Sequence, residues 1–83
     1  MPIRIIRAAK FEKALRKLPE KEQKKIVDEI DLFEDGKQVD IIRLGKNLWR
    51  LKVDVWRVFI SFEGDLAEIL TVERRKTTTY RKR

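Results

Sequence analysis

The stretch NLWRLKVDVWRVFISF, Asn47 to Phe62, decides how this chain folds. In its first half Trp49, Leu51 and Val53 alternate with Arg50 and Lys52; in its second, Trp56, Val58, Ile60 and Phe62 form an apolar row with Arg57 opposite. A period of two places successive side chains on opposite faces, so both halves read as β-strands. Asp54-Val55 between them is a turn of hairpin length. With both apolar rows against one layer, Arg50, Lys52 and Arg57 converge on the uncovered face of one sheet.

Working outward, EGD at Glu63 to Asp65 reads as the next turn and LAEILTV, Leu66 to Val72, as the next strand. VDIIRL, Val39 to Leu44, precedes the central pair as another strand. Further upstream the period becomes helical. Phe11, Ala14, Leu15 and Leu18 fall at i, i+3, i+4 and i+7, then Ile26, Val27, Ile30 and Phe33 form a second stripe. Pro19 between them suits the first turn of the second helix, where Glu20 and Glu22 complement the positive end of the dipole, and Gly36 supplies its stop. IRIIR, Ile3 to Arg7, reads as a first strand. The expected fold is α+β: an N-terminal strand, a helical hairpin, then an antiparallel β-meander packed on the helices.

The chain has 83 residues, 42% apolar and 42% charged, which fits one soluble domain spanning residues 1–83 and leaves no room for a second. Without cysteine it has no disulfide and no thiolate metal site, which is compatible with a reducing, cytoplasmic location. Without histidine it lacks the commonest general acid/base and metal ligand. No cofactor and no metal are expected, and any catalysis must use other groups. No apolar run reaches signal-peptide or membrane-spanning length, and there is no glycine-rich phosphate loop or nucleophile elbow. Glu63, Asp65 and Glu68 carry no chemistry on this reading.

The formal charge of +7 is unevenly spread. Residues 43–57 hold Arg43, Lys46, Arg50, Lys52 and Arg57 against Asp54 alone, and residues 73–83 hold Arg74, Arg75, Lys76, Arg81, Lys82 and Arg83 against Glu73 alone. Segregated charge of this kind is the footprint of a polyanion such as RNA. An exposed sheet face is polar in any case, and basic chain ends commonly fray. Like charges across neighbouring strands, however, cost stability, and no acid alternates with Arg50, Lys52 and Arg57. Tyr80 is the distinctive residue of the tail, suited to stack on a base, to exchange a proton beside cations, or to pack over the sheet edge.

The order strand, helical hairpin and meander, with LWRLKV, WRVFI and a late ERRKTTTY, resembles the RelE/ParE toxin superfamily, particularly its RelE-type mRNA interferases. The resemblance spans the whole chain and is most specific over residues 48–80. It implies the RelE-like microbial RNase fold and metal-free cleavage of mRNA on the ribosome, by attack of a ribose 2′-hydroxyl on the adjacent phosphate. On that resemblance Arg50 and Lys52 are the paired strand cations, Arg57 the arginine of the next strand, Arg75 the later catalytic arginine with Arg74 as its alternative, and Tyr80 the C-terminal tyrosine. Arg43, Lys46, Arg74, Lys76, Arg81, Lys82 and Arg83 would bind RNA around them.

Arg50 stands where lysine is common in the family and Trp56 where tyrosine is usual. Arginine stays charged, so Lys52 and Tyr80 become the candidates for proton transfer. The sequence runs only to Arg83, and no C-terminal helix of the kind some relatives possess is expected. The implied partners are mRNA in the ribosomal decoding site, ribosomal RNA, and a cognate antitoxin that is acidic or has an acidic segment; no membrane is involved. Two other functions suit the same fold: a ParE-like inhibitor of DNA gyrase without nuclease chemistry, and a basic RNA-binding module with a degenerate site.

Overall fold

The computed structural model of the chain describes residues 4–75. Seven elements run in the order β1 (Arg4–Arg7), α1 (Ala9–Arg16), α2 (Glu20–Glu34), β2 (Ile41–Arg43), β3 (Leu48–Val53), β4 (Trp56–Glu63) and β5 (Leu66–Arg74). Two helices lie on one face of a five-stranded mixed sheet of order β1-β5-β4-β3-β2. The α+β architecture expected from the alternation is therefore the one observed. No helix among the described residues is long and apolar enough to cross a membrane.

α1 is two turns of an apolar stripe, burying Phe11 and Leu15 over β5. Gln23 ties the hairpin together: its side-chain amide donates to the Leu18 carbonyl (2.8 Å) in the link between the two helices. Pro19 sits one position earlier than expected, as the N-cap of α2, where its missing N–H costs nothing and its carbonyl accepts from Glu22 and Gln23. α2 buries Ile26, Ile30 and Phe33 and packs over β3. It ends at a left-handed Gly36 (φ 76°), whose N–H donates to Phe33 while Lys37 donates to Leu32. This pair of reversed bonds closes the last turn in a Schellman motif.

The meander follows as expected, each of β2, β3, β4 and β5 antiparallel to the next. Residues 44–47 link β2 to β3, and two-residue turns close the β3–β4 and β4–β5 hairpins. Asp54 takes φ 58° in the first and Gly64 φ 64° in the second, the positive φ that such turns require. Leu51, Val53, Val58, Ile60, Ala67, Ile69 and Val72 are buried against the helices. Each large aliphatic side chain buried this fully contributes about 1.5–3 kcal/mol. Trp49, Trp56 and Phe62 are half-buried at the rim of this core.

Two features were not visible in the sequence pattern. β1 pairs parallel with β5, Arg4 with Leu66 through Arg7 with Ile69, so the first strand lies at the edge opposite β2. β5 also carries a bulge: Phe59 pairs with Thr71 but Ile60 with Ile69, leaving Leu70 over. The extra residue shifts the inward set from Ala67 and Ile69 to Val72, and returns Glu73 to the uncovered side.

Candidate functional site

Strand register builds the uncovered face in rows. One crosses the sheet as Ile42, Arg50, Phe59 and Thr71; the next, one step nearer the Asp54-Val55 turn, is Lys52, Arg57 and Glu73. Because Leu51, Val53, Val58 and Ile60 are committed to the core, Arg50, Lys52 and Arg57 are fixed on this side by alternation alone. Lys52 and Arg57 are direct cross-strand neighbours. A like-charge pair in that position is destabilising by a few tenths to about 1 kcal/mol.

Contrary to the expectation that no acid balances these cations, Glu73 stands opposite Arg57 on the other side. It is nonetheless not an ion-pair partner, and none of Arg50, Lys52 and Arg57 joins a salt bridge among the described residues. The Arg57 guanidinium makes one long bond, to the Trp56 carbonyl (3.4 Å). Arg50 is more constrained: between Ile42 and Phe59, its Nε is buried and finds no acceptor among the described residues. A buried unsatisfied donor costs about 1–3 kcal/mol, more when charged.

The end of β5 adds to the same corner. Arg74 pairs with Trp56, whose indole lies on the helix-facing side, and alternation then returns Arg75 to the side of Arg57 and Lys52. The Arg75 N–H donates to the Val55 carbonyl (2.6 Å), fastening that residue to the β3–β4 turn. Strand register thus puts Arg50, Lys52 and Arg57 on one face, with the Arg75 backbone beside the turn that joins their strands. It does not bring Arg43 and Lys46 to them. Arg43 pairs with Trp49 on the helix-facing side and donates to the Gly45 (2.8 Å) and Lys46 (3.0 Å) carbonyls, clasping the β2–β3 loop. Lys76, Tyr80, Arg81, Lys82 and Arg83 lie outside the described residues.

A supporting network went unread in the sequence. The Trp56 indole N–H donates to Glu22 Oε1 (2.8 Å), and Lys25 bridges Glu22 (3.4 Å) and Asp54 (3.2 Å). The Trp56 hydrogen bond, then the Lys25 charge, holds the Glu22 carboxyl below its ordinary pKa, while the hydrogen bond to Asp54, then the charge of Glu22, raises that of Lys25. The network pins the β3–β4 turn, and with it the backbone that carries Arg57 and Arg75, to the first turns of α2. The signal available was that a half-buried tryptophan needs an acceptor for its N–H, and that Glu22 and Lys25 are spaced i, i+3.

Neither a protein-family model nor a curated sequence matches the chain. Solved structures do. It is similar to a chain of the archaeal RelE–RelB complex from Pyrococcus horikoshii, with TM-score 0.78 and 23% identity over 94% of this chain and 100% of that one. The fold is RelE-like. A chain of the RelB–RelE antitoxin–toxin complex from Methanococcus jannaschii superimposes with TM-score 0.73 at 23% identity, covering 83% of this chain and 88% of that one. One from the RelBE2 toxin–antitoxin complex of Mycobacterium tuberculosis gives 0.75 at 18%, covering 90% and 100%.

Proposed function

We propose that this RelE-like chain is the toxin of a toxin–antitoxin pair and acts as an endoribonuclease on ribosome-bound mRNA. The observation that carries the reading is the cation cluster itself: among the described residues Lys52 and Arg57 are paired across strands without a salt bridge, beside an Arg50 Nε that has no acceptor. An arrangement that costs the free protein stability is accounted for by an anionic ligand, and the RelE-like fold supports reading that ligand as mRNA.

In the proposed reaction a ribose 2′-oxygen attacks the adjacent phosphorus and the bond from phosphorus to the 5′-oxygen breaks. The products are a 2′,3′-cyclic phosphate and a 5′-hydroxyl; one proton leaves the 2′-hydroxyl and one is delivered to the departing oxygen. Arg57 and Arg75 flank the phosphate and stabilise the charge that builds on its non-bridging oxygens, the contribution usually largest in such sites. Arg50 fixes the substrate backbone, and Lys52 or Tyr80 transfers protons. An acidic antitoxin would silence the chain by neutralising and covering this face.

Mapping of 5′ ends on programmed ribosomes tests the reading, with wild type, Arg75→Ala, Tyr80→Phe and a ribosome-free control. Ribosome-dependent cuts in the decoding site that weaken about 100-fold or more in Arg75→Ala support it. Absence of cutting where a RelE-type control enzyme cuts refutes it, and leaves inhibition of gyrase as the function to assay.

A further inference from the structure

The helical layer does not cover the whole sheet. α2 stops at Glu34, and beyond Phe33 a groove of about 410 Å³ opens on the helix-facing side, between the β2–β3 loop and the β4–β5 turn. Its floor is Ile41, Trp49 and Phe62, with Phe33 as one wall. Phe62 meets Phe33 and Trp49 edge to face, with ring centroids 5.7 Å apart in both pairs. Arg43 and Lys46 stand at the rim, and among the described residues no acidic side chain lines the groove. The two carbonyl bonds of Arg43 hold that rim in place before anything binds.

This groove is distinct from the phosphate-facing cluster. It lies on the other face of the sheet, and along β4 Phe62 is about 17 Å from Arg57 at the usual rise per strand residue. We infer that it anchors an acidic segment of a partner protein, which inserts one apolar side chain between Phe33, Ile41, Trp49 and Phe62 and sets carboxylates against Arg43 and Lys46. Charge complementarity selects this occupant. A second copy of the chain brings +7 against +7, and RNA would need a parallel slot that edge-to-face rings do not offer. The inference rests only on the partner half of the function proposed above. It places the anchor where bound partner and cleavage site do not overlap, so that a partner could hold the toxin by the groove while a second segment covers the cations.

The test is nitrogen-edited NMR of the full chain, in which the Trp49 and Trp56 indole N–H groups report separately, titrated with a short glutamate-flanked peptide carrying a central leucine. The Trp49 resonance should move while that of Trp56 stays. Replacing the central leucine by serine should weaken the effect about tenfold, from the loss of a buried leucine. Lys46→Glu should weaken it about fivefold and Ile41→Glu abolish it, the former keeping the test valid if the latter fails to fold. An unmoved Trp49, or shifts confined to Arg57 and Arg75, overturns the inference, as does movement of Trp49 by a uridine oligonucleotide rather than the peptide. Since no ribosome is needed, failure here leaves the cleavage reading standing, and failure of cleavage leaves this result standing.

Discussion

Replacing Arg57 by glutamine is predicted to move stability and activity in opposite directions. The substitution keeps most of the half-buried stem and removes a charge that faces Lys52 directly across β3–β4. Relief of a like-charge cross-strand pair is worth about 0.2–1 kcal/mol. Against it stands the attraction of Glu73 across β4–β5, which makes no ion pair among the described residues and therefore weighs at the low end of surface values. The net expectation is zero to about +0.5 kcal/mol, which for a domain of this size raises Tm by up to about 3 °C. Cleavage on programmed ribosomes should meanwhile fall by about 100- to 1000-fold, the usual loss when one preorganised donor is removed from a developing anion. Thermal melts at low salt and single-turnover cleavage on the same preparation measure both. A Tm lowered by several degrees would make Arg57 a structural residue, and unchanged cleavage with unchanged Tm would remove it from the site.

Acid should loosen the β3–β4 turn beside the candidate site. The folded-state pKa of Glu22 is depressed, so its contribution is fully present above the unfolded value of about 4.3 and is lost as pH falls through the folded one. Glu22→Gln should therefore flatten the acid limb of stability, read by tryptophan fluorescence; an identical acid limb in both proteins refutes the role. Lys25, with its pKa raised, is stabilising below about pH 10.4 and loses that contribution as pH rises through its folded value. Truncating the buried Ile60 to Ala should cost about 2–5 kcal/mol, against a total near 4–12 for such a chain, so chemical denaturation should show a large drop in midpoint. Gly36→Ala meets no atom within 4 Å, so its cost, about 1 kcal/mol in the same assay, comes from the left-handed backbone alone.

Local periodicity made β3 and β4 readable because Leu51, Val53, Val58 and Ile60 bury on one side and leave their alternates no choice. The face of Arg50, Lys52 and Arg57 followed directly. What pattern could not provide was anything fixed by pairing between distant segments. Glu73 faces Arg57 only because of the bulge at Leu70, and the parallel seat of β1 beside β5 depends on where the helical hairpin returns the chain. Arg43 looked like its basic neighbours in composition, yet its position on β2 turns it to the helix side and into its own loop. Trp56 read as packing, and its hydrogen bond to Glu22 became apparent only when α2 was laid across the turn.

The parallel seat of β1 also orders assembly in time. Among the described residues Arg4 to Arg7 pair with no strand but Leu66 to Ile69, so β1 must wait for β5 before it can join the sheet. The four-stranded meander can zip through short hairpin closures, whereas this rung must close a loop spanning most of the molecule, the slow kind of contact in folding. Until it does, one side of β5 remains a raw edge able to template a foreign strand. The partly folded chain thus stays adhesive at β5 until β1 docks there.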